Sequence, residues 1–147
     1  ATVKSFNRKS RRSGRECAVQ FLYGLDFTEY DWESALDDFW ASMAWVPDDC
    51  AAVSEDARAY ALQLIEGIMQ HRDALDAEIT GALANWAPER VGRIERNILR
   101  VALFELRHAP DVPEKVAMNE AIEIAKRFGN DEAPRFINGV LDRLKGE

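Results

Sequence analysis

ERVGRIERNILRVALFEL, residues 89–106, is polar in its first turns and nearly apolar all round after Ile98, interrupted only by Arg100 and Glu105. Apolar residues on every side of a helical repeat mark a helix that other helices surround. The stretch therefore predicts a buried central helix over about 90–107. Its polar side is narrow and basic: Arg93, Arg96, Arg100 and Arg107. In so acid-rich a chain these four are expected to act as internal salt-bridge partners rather than as phosphate contacts. Glu105 falls beside Ile94, Ile98 and Val101, where an unpaired carboxylate is costly, so a buried partner such as an arginine or a backbone N–H is expected.

Outward from this helix the same periodicity recurs, and no strand pattern appears. Ser13 and Glu16 form S-x-x-E, a capping box that predicts a first helix over about 14–27. Cys17, Ala18, Phe21, Leu22 and Leu25 face inward there, while Glu16, Val19, Gln20, Tyr23 and Phe27 face out. Asp31 caps a helix over about 32–45 that buries Trp32, Leu36, Phe39, Trp40 and Met43, with Pro47 after its end. Ser54 caps a third, with Tyr60, Ala61, Leu64, Ile65 and Ile68 inward, and a fourth over about 73–84 shows Leu75, Ile79 and Leu83. NWAPERV breaks the chain before the central helix. Pro113 suits the first turn of a sixth helix, whose end carries Lys126 and Arg127 before Gly129, expected as a left-handed cap. Pro134 opens a seventh, with Ile137, Val140, Leu141 and Leu144 inward. The predicted fold class is all-α: seven helices in one domain over 1–147, with a flexible basic arm at 1–12 and sub-bundles over about 13–85 and 86–147.

Composition narrows the function. At 147 residues the chain buries a substantial core without staples. Cys17 and Cys50 form no C-x-x-C pair and His71 and His108 have no ligand-spaced neighbours, so neither a metal site, a cofactor nor a disulfide framework is expected. No apolar run reaches the ~18 residues of a membrane span, and a cytoplasmic protein is expected. Helical-bundle catalysis needs carboxylates paired with histidine. Glu120 and Glu123 lack such a histidine and read as surface or ion-paired acids, so no catalytic residue is assigned.

The charge map points elsewhere. The net charge is −7, yet Lys4, Arg8, Lys9, Arg11, Arg12 and Arg15 crowd the first fifteen residues without an acid. Between Arg15 and Arg58 there are eleven acids and no Lys or Arg. Because charges are screened beyond about 8 Å, a basic segment binds phosphate locally even on an acidic protein. A cationic arm beside an outward tyrosine supplies what single-stranded nucleic acid requires, cations for phosphates and a flat ring for bases. A solvated tail beside a covered tyrosine is the alternative. Phe136, at the flank of the last helix, is either core or a further stacking ring.

SRRSGRECAVQFLY, ERVGRIERNILRVALFEL, DVPEKVAMNEAIEIAKRFG and RFINGVLDRL together closely resemble the NusB family of bacterial transcription antitermination factors. The likeness covers about residues 11–23 and 89–144. It implies two helical sub-bundles, no catalysis, and binding of boxA RNA in ribosomal RNA leader transcripts together with the ribosomal protein NusE. It also implies an antitermination complex with RNA polymerase, NusA and NusG, and a role in ribosome biogenesis. Carried over by motif, it assigns RNA contacts to Arg11, Arg12, Arg15, Gln20 and Tyr23, and to Lys126, Arg127, Glu132, Phe136 and Asn138, with Asp131 an alternative to Glu132. Glu89 and Glu95 match the acids of the NusE surface. Gly14 and the loop GNDEA depart from the family pattern, and some members form homodimers that cover the arginine arm. Two other readings are an RNA-binding domain related to those preceding ribosomal RNA methyltransferases, and a structural dimerisation module.

Overall fold

The computed structural model describes residues 6–28, 31–43, 54–84, 86 and 91–145; Lys4, Pro47, Cys50 and Glu89 lie outside them. The described residues form seven helices and no strand: α1 Arg8–Leu25, α2 Trp32–Met43, α3 Glu55–Gln70, α4 Arg72–Ala82, α5 Arg93–His108, α6 Glu114–Phe128 and α7 Ala133–Leu144. The chain divides into two compact units, residues 1–63 and 64–147, and the boundary runs through α3, ahead of the break near residue 86.

In the first unit α1 begins six residues before the expected start. Asn7 is extended (φ −77°, ψ 168°) and its Oδ1 accepts the Ser10 N–H at 2.8 Å, so it is the N-cap. Ser13 and Glu16 therefore lie inside the helix, and Arg8 to Arg12, expected as a flexible arm, form its first turns. Phe6 anchors this start, its ring 5.2 Å from that of Tyr60. Gly14 is buried, and a side chain there would meet the Ala57 carbonyl at 2.9 Å and Tyr60 Cδ2 at 3.0 Å. Its lack of a Cβ lets α1 approach α3 closely. Val19, expected outside, is fully buried, as are Ala18, Ala57 and Ala61. Burial pushes the Cys17 thiol up to about 11, which keeps it protonated and unreactive at neutral pH.

The expected caps at Asp31 and Ser54 are present. Asp31 Oδ1 accepts the Ser34 N–H at 2.9 Å, which holds its carboxyl below the usual carboxylate range. Ser54 Oγ accepts the Ala57 N–H at 3.1 Å. Leu36 is buried, Phe39 lies edge-on to Phe21 at 5.5 Å, and the Arg58 guanidinium covers the Trp40 ring at 4.6 Å.

The second unit is built around α5, which packs against α4, α6 and α7. Ile98, Leu99 and Leu103 are essentially inaccessible, and each such side chain contributes roughly 1.5–3 kcal/mol by leaving water. The arginine stripe is structural at two positions. Arg100 grips Asp76 through Nε and Nη2 at 2.7 and 3.1 Å, and Arg107 bonds Glu78 Oε1 at 2.8 Å and the Leu144 carbonyl at 2.7 Å. Glu105 is 1% exposed, and Glu120, expected at the surface or in an ion pair, is also buried. Gly129 is extended (φ −94°, ψ 177°) rather than left-handed. It is small for packing: a Cβ would meet Ala133 Cβ at 2.5 Å and the Ala125 carbonyl at 2.9 Å.

Folding also pairs the two histidines, which lie 37 positions apart in sequence. His71, the N-cap residue of α4, stacks on His108, the last residue of α5, with centroids 4.0 Å apart and planes 15° from parallel. Partial burial and the neighbouring His71 lower the His108 pKa from 6.5, against the opposing pull of Glu78. The unfolded chain thus binds this proton more readily, so the stability contribution is complete above about pH 6.5 and is lost as pH falls through the folded pKa. Urea unfolding at pH 7.5 and pH 5 is expected to show a smaller acid loss for His108→Gln than for wild type. An equal loss in both proteins refutes the assignment.

Candidate nucleic-acid interface

One side of α1 carries a graded surface. At 100° per residue Arg8, Arg12, Glu16, Gln20 and Tyr23 share a side, spanning about 23 Å from Arg8 to Tyr23 at 1.5 Å per residue. Arg8, Lys9 and Arg12 are exposed, Gln20 is half-buried, and Tyr23 is 40% exposed. Phe27, just past the helix end, is 61% exposed and lies edge-on to Tyr23 at 5.2 Å.

The three arginines named from the motif separate. Arg12 faces solvent. Arg11 is half-buried, its Nε donating to the Phe6 carbonyl at 3.3 Å and its guanidinium 5.3 Å from the Tyr60 ring centre. Arg15 is 2% exposed and 5.7 Å from the same ring. Tyr60 thus draws two cations inward against its π face, an attraction strengthened where water is excluded. Periodicity from a start at residue 14 could not show this, because Arg11 then stood before the helix and had no assigned side.

The second unit supplies another polar and aromatic surface. Lys126 is exposed and pairs with Glu123 at 3.1 Å, and Arg127 lies over the Phe128 ring at 5.2 Å. Asp131 and Glu132 are both exposed, and the Glu132 N–H donates to Asn130 Oδ1 at 3.0 Å. Glu132, Arg135, Phe136 and Gly139 follow i, i+3, i+4, i+7 spacing along one side of the α7 region. Asn138 is exposed on a different side. Phe136 is only 7% exposed, because Trp86 stands over it edge-on at 5.0 Å and 82°. The Trp86 indole N–H is buried and has no acceptor among the described residues, a condition that costs about 1–3 kcal/mol. Trp86 itself was missed from the sequence, where it reads only as part of a helix break.

The acids expected to receive a protein partner are placed as follows. Glu89 lies outside the described residues. Glu95, in the first turn of α5, is 6% exposed, and its carboxylate folds back against Gly92, the N-cap residue. A negative charge there suits the positive end of the helix dipole. Among the described residues no three His, Cys, Asp or Glu side chains gather as a metal site, and no helix is long and apolar enough to cross a membrane.

Two helical units, each with exposed cations and aromatic rings on its surface, define an all-α protein among the described residues. Residues 12–145 match the family model described as "NusB family", and the chain belongs to that family. It is 42% identical over 135 residues to the transcription antitermination protein NusB of Myxococcus xanthus, covering 92% of this chain and 94% of the relative. The corresponding protein of Desulfotalea psychrophila is 44% identical over 137 residues, with the same coverage. Among solved structures, NusB of T. maritima is similar with a TM-score of 0.77 at 31% identity, covering 99% of this chain and 94% of that one. A structure of antitermination factors NusB and NusE in complex with dsRNA shares the fold, with a TM-score of 0.78 at 22% identity, over 94% of this chain and 97% of that one.

Proposed function

We propose that this protein is a cytoplasmic RNA-binding transcription antitermination factor that binds boxA of ribosomal RNA leader transcripts together with NusE. It acts as an adaptor, not a catalyst, within a complex that includes RNA polymerase, NusA and NusG. The observation that carries this reading is the outer side of α1, where Arg8, Lys9 and Arg12 lead to an exposed Tyr23. Cations at one end take phosphates, and the ring at the other stacks on a base. Lys126, Arg127, Glu132 and Asn138 extend the RNA surface on the second unit. NusE contacts Glu89, and the inward Glu95 in the first turn of α5 acts through its field.

Fluorescence anisotropy of a labelled boxA RNA and a scrambled control, with and without NusE and at several salt concentrations, tests this. Three exposed α1 cations predict a fall in log affinity of about 2 per decade of salt from this helix, at ~0.7 per phosphate contact on single strands. Arg12→Ala is expected to reduce that slope by about 0.7. Tyr23→Ala is expected to weaken binding by roughly 5- to 150-fold with the slope unchanged. Wild-type binding by both variants, or equal affinity for the scrambled RNA with NusE present, overturns the assignment.

A further inference from the structure

We propose that Trp86 is a base-stacking residue of the RNA surface on the second unit, with Phe136 as its support rather than as the stacking ring itself. This rests on the RNA-binding reading above and adds a residue that the family motifs do not supply.

Three observations carry it. Phe136 is 7% exposed beneath Trp86, so it offers no open face to a base. Trp86 is half-buried and seats its six-membered ring over Gly139, where a Cβ would lie 3.5 Å from Cζ2 and 3.8 Å from Cη2. The indole N–H is buried with no acceptor among the described residues. For packing alone tryptophan is a poor choice here, because phenylalanine or leucine would cover Phe136 without burying an unpaired donor. What tryptophan adds is a large flat π surface, held upright by the edge-on ring beneath it.

The surroundings fit a nucleotide of single-stranded RNA. Arg135 is exposed with no ion pair or hydrogen bond among the described residues, and it shares a side of α7 with Phe136 and Gly139. Exposed Glu132 stands on the same side. An exposed cation and an acceptor carboxylate on the side of α7 that carries Phe136 and Gly139 supply partners for a stacked nucleotide's phosphate and amino groups.

The test is boxA anisotropy on the full chain with Trp86→Ala, Trp86→Phe and Trp86→Leu, each checked for native circular dichroism. Trp86→Ala is expected to lose roughly 5- to 150-fold in affinity with an unchanged salt slope. Trp86→Phe is expected to keep most of the affinity and Trp86→Leu to behave like alanine, since leucine packs but does not stack. Arg135→Ala should lower the slope instead. Wild-type affinity in a folded Trp86→Ala, or equal binding by the leucine and phenylalanine variants, overturns the proposal while leaving RNA binding intact. A loss seen only in NusE binding also overturns it, by making Trp86 a protein contact. If the wild type itself does not bind boxA, the functional reading fails, and this proposal with it.

Discussion

Arg100→Ala is expected to destabilise the second unit by about 3 kcal/mol, the lower end of the range for removing one member of a buried ion pair. Arg100 is 7% exposed, and its fork is fully engaged: Nε and Nη2 on the two Asp76 oxygens, and Nη1 on Asn97 Oδ1 at 2.8 Å. Asn97 is inaccessible and donates in turn to the Arg93 carbonyl at 2.9 Å. Among the described residues, the alanine variant leaves Asp76 with the looser Arg72 contact at 3.9 Å and takes a charged donor from a buried amide. Asp76 keeps 30% side-chain exposure, so water offsets part of the loss. Chemical denaturation should show a midpoint shift at constant m-value, and thermal unfolding a drop of roughly 6–12 °C. Arg100→Lys should recover little, because an ammonium cannot bridge two carboxylate oxygens and an amide at once. A change below about 1 kcal/mol would put this arginine in the class of exposed ion pairs and reopen it as a phosphate contact.

The stripe to which Arg100 belongs shows what was legible in the sequence. Core faces follow from a 3.6-residue period, and those of α3, α4 and α7 lie where the pattern places them, from Tyr60 and Leu64 to Leu141 and Leu144. The side-chain caps at Asp31 and Ser54 were equally legible, because a cap involves residues only three apart. The start of α1 was not. Both Asn7 and Ser13 are good N-cap residues, and the choice between them depends on Phe6 and the arginines finding Tyr60, a contact more than forty residues away. Arg15 and Phe136 escaped for the same reason: Tyr60 and Trp86 cover them, and periodicity reports which side of a helix faces inward but not what closes over its flank. The histidine stack is likewise invisible along the chain, since only the packing of α4 on α5 creates it.

Within α1 these long-range contacts divide labour among cations that look equivalent in sequence. Arg11 and Arg15 are spent on Tyr60, which secures the helix to α3, while Arg8, Lys9 and Arg12 remain outward. Stability and RNA affinity should therefore respond separately to substitution. Loss of Arg15 is expected to remove a buried cation–π contact and loosen the helix, whereas loss of the exposed Arg12 is expected to act mainly on the proposed RNA affinity.

Gly14→Ala makes the sharpest separation between local propensity and packing, because the two predict opposite signs. Glycine inside a helix costs up to about 1 kcal/mol relative to alanine, so propensity alone predicts a more stable protein. The built side chain, however, would stand 2.9 Å from the Ala57 carbonyl oxygen, 3.0 Å from Tyr60 Cδ2 and 3.1 Å from Tyr60 Cβ. The carbonyl belongs to the first turn of α3 and accepts no rotamer change, so relief requires α1 and α3 to move apart. That movement loosens the seat of Arg11 and Arg15 on Tyr60. Overpacking of this kind costs typically 1–3 kcal/mol, which exceeds the propensity gain, and a net destabilisation of about 1–2 kcal/mol is expected. Urea unfolding of Gly14→Ala beside Gly24→Ala measures it, since Gly24 lies in the same helix with open space around it and should gain stability from alanine. If both variants gain, α1 and α3 have room for a methyl group at Gly14; if only Gly24→Ala gains, the close approach of the two helices fixes the glycine.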